Sequence, residues 1–300
     1  MALGSIGGTI WKDLTGAVGQ VGQTLGSVGN FAESAAPNLF AQKAASDKIG
    51  GAMQSVAGDD SGDDGRTVYV LFGGLGSQGT GDTANEAKTL ESHGVSAGNI
   101  IQQPSPFPAM NNPSSFINNL ADYEQAANPN SSVAQSQEKD LEGELQADHV
   151  QSGDKLEFIG YSAGGQEAAT EAGLIDKDTK DHVNTVVSMG TPYTTNNVPK
   201  DTRLVVAESQ GDPVLNVTDS IPGISRQPSG YNGYSDRLHI ELPANNAQGQ
   251  PNTHGSYIQP NEFWSIVTAA NSNQVDQGAW THPNQSLNLS QLGGMIGSLV

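Results

Sequence analysis

The stretch of this chain that most constrains its fold is residues 155–172, where an apolar run passes through a glycine-rich turn into an alanine-rich segment. Residues 156–159, Leu-Glu-Phe-Ile, predict a buried strand, and residues 166–172 predict a helix. Between them, residues 160–164 have the spacing G-x-S-x-G, with Ser162 at the centre. A strand that turns directly into a helix is the repeating unit of α/β proteins, so this stretch predicts an α/β fold.

The glycines around Ser162 have a steric explanation. Side chains two residues before or after a serine on a sharp strand-to-helix turn would collide across the turn. The serine then stands at a helix N-terminus, where unpaired backbone N–H groups and the helix dipole favour an oxyanion. Because 37 of the 300 residues are glycine, the spacing alone also fits a plain glycine-rich turn. The flanking strand and helix favour a nucleophile elbow.

Charge and cysteine content exclude several classes of partner. Thirteen basic against 32 acidic residues give a net charge of −19, which argues against nucleic acid or an anionic membrane surface as an electrostatically attracted partner. The chain has no cysteine, so a disulfide framework and a thiolate metal site are both excluded, and we expect no cofactor.

Targeting signals are weak in this sequence. No segment approaches the roughly 18 uninterrupted apolar residues of a membrane span. The first basic residue is Lys12 and no compact apolar run follows it, so we expect no cleaved signal peptide. Localisation stays open, and secretion would use a route without such a peptide.

Composition divides the chain into three regions: residues 1–65, 66–270 and 271–300. In the first, apolar residues recur at intervals of three and four beside a stripe of glycines, each of which costs about 1 kcal/mol against alanine in a helix. We expect a glycine-rich, partly helical extension that packs on its own domain or on a second copy. Contact of its apolar stripe with a membrane surface is the alternative. The third region is a polar tail to which the sequence assigns no role.

The extension ends in an acidic spacer at residues 59–65, with four carboxylates in six residues. Such a cluster could attract calcium, but the spacing of an EF-hand and its distal glutamate are missing. We interpret the spacer as a solvated linker.

The middle region begins with the strongest strand signal, residues 67–72, which leads into Gly73, Gly74 and Leu75. A buried parallel strand that ends in glycines presents backbone N–H groups to a ligand. Phosphate is one candidate ligand, but the lysine of a P-loop is absent and the G-x-G-x-x-G spacing is not met. The loop fits an oxyanion hole better.

The remaining elements alternate in type. Helices are predicted at 83–93, 113–127, 137–150 and 261–270, and further strands at 99–102, 182–189, 203–208 and 237–242. Repeated strand-then-helix order predicts a mostly parallel sheet flanked by helices on both faces.

Four short motifs together resemble one superfamily. They are the turn at 160–164, Gly-Thr-Pro at 190–192, Gly-Asp-Pro-Val at 211–214 after a strand, and His-x-x-Tyr at 254–257. This set resembles the lipase and esterase branch of the α/β-hydrolase superfamily over about residues 66–270. The chain order Ser, Asp, His is the order that this fold uses.

The resemblance implies a role for five residues. Ser162 would be the nucleophile, His254 its general base and Asp212 the group that orients the imidazole. The oxyanion hole would take backbone N–H groups from Ala163 and Leu75.

Other residues compete for these roles. Asp219 and Asp236 lie in less regular contexts than Asp212, His239 lies within a predicted strand, and His282 lies in the polar tail. We therefore expect His254 and Asp212 to complete the triad.

The function implied by the resemblance is a serine hydrolase that cleaves carboxylic esters through an acyl-enzyme, as a lipase, esterase or phospholipase does, with an ester or lipid as substrate. The alternative is a non-catalytic binding or structural protein on a hydrolase scaffold, with ends directed to a membrane or an assembly, because function does not follow from fold. Acyl transfer to an acceptor other than water would use the same residues.

Overall fold

The computed structural model describes residues 65–75, 80–106, 123–178, 182–194, 198–218, 224–243 and 253–276. The predictions made for residues 1–64 and 277–300, including those for His282, lie outside these ranges. Most of the helix predicted at 113–127 and the alternative acid Asp219 lie outside them as well.

A single six-stranded sheet organises the described residues. Its order is β2-β1-β3-β4-β5-β6, and every neighbouring pair is parallel. This arrangement confirms the predicted α/β class with a mostly parallel sheet. The strands are β1 Thr67–Phe72, β2 Ile100–Gln103, β3 Lys155–Tyr161, β4 Val183–Met189, β5 Arg203–Ser209 and β6 Arg237–Leu242.

The structure gives the full bounds of five α-helices that connect or follow these strands, and residues 123–126 are helical as well. The five are α1 Gly81–Ser92, α2 Ser132–Ala147, α3 Ala163–Asp178, α4 Pro213–Thr218 and α5 Pro260–Ala270. Helix α2 begins five residues before the predicted start, because the Ser131 side chain caps it by accepting a hydrogen bond of 3.1 Å from the Ala134 N–H. No helix in the described part of the chain is long and apolar enough to cross a membrane.

The helices cover both faces of the sheet. On one face, α2 and α3 pack against the strands, and on the other face α1 and α5 do so. The strands alternate accordingly: Val68 and Val70 of β1 contribute to the first core, whereas Tyr69 and Leu71 contribute to the second. The carboxyl edge of the sheet is thereby left between two helical layers.

Two residues shortly after α5, Gln274 and Asp276, are hydrogen-bonded to the sheet and to the segment before β6. The Asp276 carboxylate accepts hydrogen bonds of 2.8 Å from the His239 N–H and from the Tyr231 hydroxyl. The Gln274 carbonyl accepts one of 2.7 Å from Arg203. The first residues of the predicted tail therefore cover the β5–β6 end of the sheet, while the three-region division of the chain stays a prediction.

Two glutamates lie on the buried side of α3. Glu167 and Glu171 are 1% and 0% exposed, and both carboxyl oxygens of Glu171 have no hydrogen-bond partner among the described residues. Burial raises the pKa of Glu167 to about 8. Burial, and then the charges of Glu167 and Glu138, raise the pKa of Glu171 to about 9. Both carboxyl groups are therefore protonated in the folded protein at neutral pH.

These glutamates predict a stability that falls as pH rises. A carboxyl group whose folded pKa is raised contributes stability below its unfolded pKa of about 4.5 and loses it as pH climbs to about 9. We expect Glu171→Gln to raise the free energy of unfolding by about 1–3 kcal/mol at pH 9, with little effect at pH 5. Thermal melts at both pH values measure the difference.

The exposed Glu91 on α1 offers a matched control. Glu91→Gln replaces an exposed side chain, so it should leave the free energy of unfolding within about 0.5 kcal/mol of the unsubstituted protein. Parallel pH curves for Glu171→Gln and the unsubstituted protein would contradict the assignment of a buried neutral carboxyl.

Candidate active site

Ser162 occupies the sharp turn between β3 and α3. Its φ of +55° lies in the left-handed region, which a residue with a side chain adopts only when its surroundings hold it there. The Ser162 N–H donates a hydrogen bond of 2.8 Å to the Met189 carbonyl at the end of β4. The neighbouring strand thus fixes the strained serine at the carboxyl edge of the sheet.

The glycines of the turn are required by close backbone approach. A Cβ on Gly160 would lie 2.1 Å from the Gly164 carbonyl oxygen, and one on Gly164 would lie 2.3 Å from the Phe72 carbonyl oxygen. Gly165 is equally confined, because its Cβ would lie 1.9 Å from the Thr191 Oγ1. The turn therefore has the steric form that the G-x-S-x-G spacing predicts.

A continuous hydrogen-bonded chain runs from Ser162 to Asp212 through His254. The His254 Nε2 lies 2.7 Å from the Ser162 Oγ, and the His254 Nδ1 lies 2.8 Å from the Asp212 Oδ2. A carboxylate can only accept, so Nδ1 carries the hydrogen and Nε2 is left to accept the serine proton. The structure thus brings together the three side chains that the sequence singled out.

Asp212 is held by the helix that follows it. It is fully buried, and its Oδ1 accepts hydrogen bonds from the N–H groups of Val214 at 2.8 Å and Leu215 at 3.3 Å. These are the second and third residues of α4, so Asp212 is the N-cap of that helix. Capping leaves Oδ2 to face the imidazole.

His254 opens a short 3₁₀-helix, His254–Ile258, after β6. The turn is closed from both sides, because the Thr253 N–H donates to the Ser256 Oγ and the Ser256 N–H donates to the Thr253 carbonyl, each at 3.0 Å. The imidazole is therefore presented by an ordered turn.

The competing histidine and aspartate lie in other contacts. The His239 Nε2 lies 3.1 Å from the Glu208 Oε1, and Asp236 pairs with Arg203. Both interactions hold β5 and β6 together.

The two residues predicted to form the oxyanion hole flank the serine. Ala163 is the first residue of α3, so its N–H has no acceptor within the helix. Gly74 lies against the nucleophile, since a Cβ there would be 3.0 Å from the Ser162 Cβ, and Leu75 follows directly. Leu75 and Ala163 share a small apolar cluster with Tyr123. Their role as oxyanion donors is taken up as a proposal below.

Sequence reasoning gave no role to Tyr161, whose ring lies 5.1 Å from the His254 ring. Burial, and then the charge of Asp212, raise the pKa of Tyr161 well above its usual value. Burial, and then Asp82, raise the pKa of the nearby Glu86 carboxyl in the same direction. Tyr161 and Glu86 are therefore neutral at neutral pH, so neither adds a charge beside the His254 imidazole.

One cluster among the described residues has the composition of a metal site. Potential ligand atoms of Asp176, His182 and Asp201 all lie within 4.8 Å of one another. His182 precedes β4 and Asp201 precedes β5, so the cluster lies at the amino edge of the sheet, opposite Ser162. The Asp176 Oδ1 and the His182 Nδ1 lie 2.9 Å apart, so a hydrogen bond between two partly exposed side chains already accounts for two members of the cluster.

A parallel sheet of this order, with a strained serine after β3 and Asp and His following in chain order, defines the α/β-hydrolase fold. The described part of the chain has this fold. The resemblance to the α/β-hydrolase superfamily is confirmed at the level of the fold.

No family model and no curated protein matches the chain. Solved structures similar to it include one described as a YdeN-like hydrolase from Pectobacterium atrosepticum, at 9% identity and a TM-score of 0.42 over 74% of this chain and 96% of that one. Another is the RedJ thioesterase of prodiginine biosynthesis from Streptomyces coelicolor, at 7% identity and a TM-score of 0.42. The match covers 71% of this chain and 97% of that one.

A third similar structure is an α/β serine hydrolase without a lid from Xanthomonas campestris, at 11% identity and a TM-score of 0.39. The match covers 71% of this chain and 84% of that one. The fold assignment rests on the sheet order and the geometry of the turn.

Proposed function

We propose that this protein is a serine hydrolase that cleaves carboxylic esters through an acyl-enzyme intermediate. The observation that carries the proposal is the hydrogen-bonded chain Ser162, His254, Asp212, with separations of 2.7 and 2.8 Å. The first separation lies within the range that proton transfer between a nucleophile and its base requires, about 2.6–3.2 Å, and the second is the hydrogen bond that orients the base.

In the proposed mechanism, the Ser162 Oγ attacks the ester carbonyl while His254 Nε2 takes its proton. The backbone N–H groups of Ala163 and Leu75 stabilise the oxyanion that forms. The imidazolium then protonates the leaving alkoxide, which departs as an alcohol. Water, activated by the same nitrogen, attacks the acyl-enzyme and releases a carboxylic acid and free Ser162.

Apolar side chains beside the serine support an ester with an apolar acyl group. Leu75 and Ala163, the proposed oxyanion donors, belong to one apolar cluster with the buried Tyr123 and Ala126, and Leu75 itself is only partly buried. We propose the activity of a lipase, esterase or phospholipase on this basis. Contact between the N-terminal extension and a membrane surface remains a proposal about residues outside the described ranges.

A fluorophosphonate probe tests the proposed function. We expect stoichiometric labelling of the native protein at Ser162, located by mass spectrometry, because the probe reacts with an activated serine and mimics the tetrahedral intermediate. Prior incubation with short-chain nitrophenyl esters should slow the labelling. Heat-denatured protein, which has the same serines without the site, is the control.

The same experiment separates the competing functions. Native protein that melts cooperatively yet takes up no probe would favour a non-catalytic protein on a hydrolase scaffold. Protein that takes up the probe, and that in a separate assay without the probe releases alcohol but no free carboxylic acid from an ester, would indicate acyl transfer to another acceptor.

A further inference from the structure

Tyr257 lies three residues after His254 on the same 3₁₀-helix. With three residues per turn, positions three apart project from the same side, so Tyr257 and His254 point toward the same region. The Tyr257 side chain is fully buried, and its ring lies edge-on to the imidazole with centroids 6.2 Å apart. The tyrosine therefore packs against the imidazole from the protein interior.

The Tyr257 hydroxyl has two partners that fix the direction of its proton. It accepts a hydrogen bond of 2.7 Å from the Ser209 N–H, which can only donate. It therefore donates its own hydrogen to the Asp212 Oδ2, 2.9 Å away, the same oxygen that faces His254. Burial, and then the charge of Asp212, raise the pKa of Tyr257 well above its usual value, so the hydroxyl keeps its hydrogen.

With this bond, the Asp212 carboxylate is fully occupied. A carboxylate offers about four acceptor positions. Here Oδ1 accepts from the Val214 and Leu215 N–H groups, and Oδ2 accepts from His254 and Tyr257. Because Asp212 is fully buried, water cannot replace any of the four donors.

The ring of Tyr257 is clamped by the loop after β4. Gly190 has a φ of +58°, and a Cβ there would lie 2.5 Å from the Tyr257 ring. The Gly190 N–H donates to the Ala207 carbonyl of β5 at 2.9 Å, which holds this loop against the sheet. The position of the hydroxyl is thus set by β4, β5 and the 3₁₀-helix together.

We propose that Tyr257 is a positioning residue of the active site, whose hydroxyl fixes the plane of the Asp212 carboxylate and thereby the orientation of the His254 imidazole. The proposal rests on the proposed serine hydrolase function. It goes beyond that function by adding a fourth side chain to the triad, one that does not touch the substrate.

Tyr257→Phe removes the hydroxyl and keeps the ring against Gly190. We expect kcat to fall about 10-fold, the effect of losing one hydrogen bond to a charged group, with KM within about 2-fold. The acid limb of the pH–rate profile should move to higher pH, because more of the Asp212 charge stays on the oxygen that faces His254. Among the described residues, the hydroxyl, phenol and carboxyl groups in contact with that imidazole are those of Ser162, Tyr161, Asp212 and Tyr257 itself.

Tyr234→Phe is the matched control. The Tyr234 hydroxyl is also buried and donates one hydrogen bond, of 2.7 Å, to the Val198 carbonyl near the amino edge of the sheet. We expect it to lower the melting temperature as Tyr257→Phe does and to leave kcat and the pH profile unchanged. Equal kinetic losses in the two variants would overturn the proposal.

Two further measurements keep the test independent of folding and of turnover. Replacement of Tyr257 by 3-fluorotyrosine keeps the hydroxyl as a stronger donor, and the acid limb should then move to lower pH. The downfield NMR signal of the His254 Nδ1–H should broaden in Tyr257→Phe even if the protein hydrolyses no ester. An unchanged signal overturns the positioning role, whereas absence of fluorophosphonate labelling overturns the proposed hydrolase function.

Discussion

Ser162→Ala should lower kcat for ester hydrolysis by at least about 10⁴-fold, because removal of the nucleophile leaves only the contribution of the oxyanion hole and substrate binding. The fold should survive. The backbone bonds of the turn, including that from the Ser162 N–H to Met189, do not involve the side chain that is lost. Turnover of nitrophenyl esters, fluorophosphonate labelling and the thermal melt measure the three consequences.

Ser265→Ala is the control for this substitution. Ser265 lies exposed on α5, and its hydroxyl donates to the Asn261 carbonyl one turn earlier. We expect it to keep full turnover and full labelling. Ser162→Ala protein with near-normal turnover would show that the hydrolysis belongs to another residue or to a contaminant.

Asp212→Asn should lower kcat by about 10⁴-fold, and the geometry explains why an isosteric change is so damaging. The N–H groups of Val214 and Leu215 point at Oδ1, so the amide of the asparagine must place its oxygen there. Its NH₂ group then faces His254 Nδ1. The imidazole must accept at Nδ1 and carry its hydrogen at Nε2, where it can no longer take the proton of Ser162.

Asp236→Asn is the matched control, since Asp236 was the alternative acid and pairs with Arg203 instead. Asp236→Asn should change the stability of the protein and leave kcat unchanged.

His254→Gln should lower kcat by about 10⁵-fold or more, while His239→Gln, which breaks the contact with Glu208, should not. The triad would be reassigned if Asp236→Asn lowered kcat as much as Asp212→Asn does, or if His239→Gln lowered it as much as His254→Gln does.

The elbow was predictable because its constraints are local. The glycines at 160 and 164 are excluded from carrying a Cβ by atoms of the turn itself and of β1, and the strand and helix around Ser162 follow from hydrophobic pattern over a few residues. The four central strands β1, β3, β4 and β5 were predictable for the same reason. Parallel strands buried on both faces are nearly continuous apolar runs.

The helix starts were less predictable, because caps depend on single polar side chains. Helix α2 begins at Ser132 on the strength of one Ser131 hydrogen bond, in a segment whose apolar pattern is weak. Asp212 shows the same effect at the site. Its capping of α4 was not foreseen, although the capping bonds decide which oxygen faces the histidine.

The sequence by itself determined the class of fold, the strained serine and a short set of candidates for its partners, since steric exclusion and strand-then-helix order act between near neighbours in the chain. Only the tertiary structure decided the contacts: that His254 reaches Ser162, that Asp212 reaches His254, that Tyr257 donates to the Asp212 carboxylate, and that Asp276 contacts β6. The residues in these contacts are far apart in the chain: 37 positions separate His239 from Asp276, 45 separate Asp212 from Tyr257, and 92 separate Ser162 from His254. Such pairings follow from the order of strands in the sheet, which local pattern does not specify.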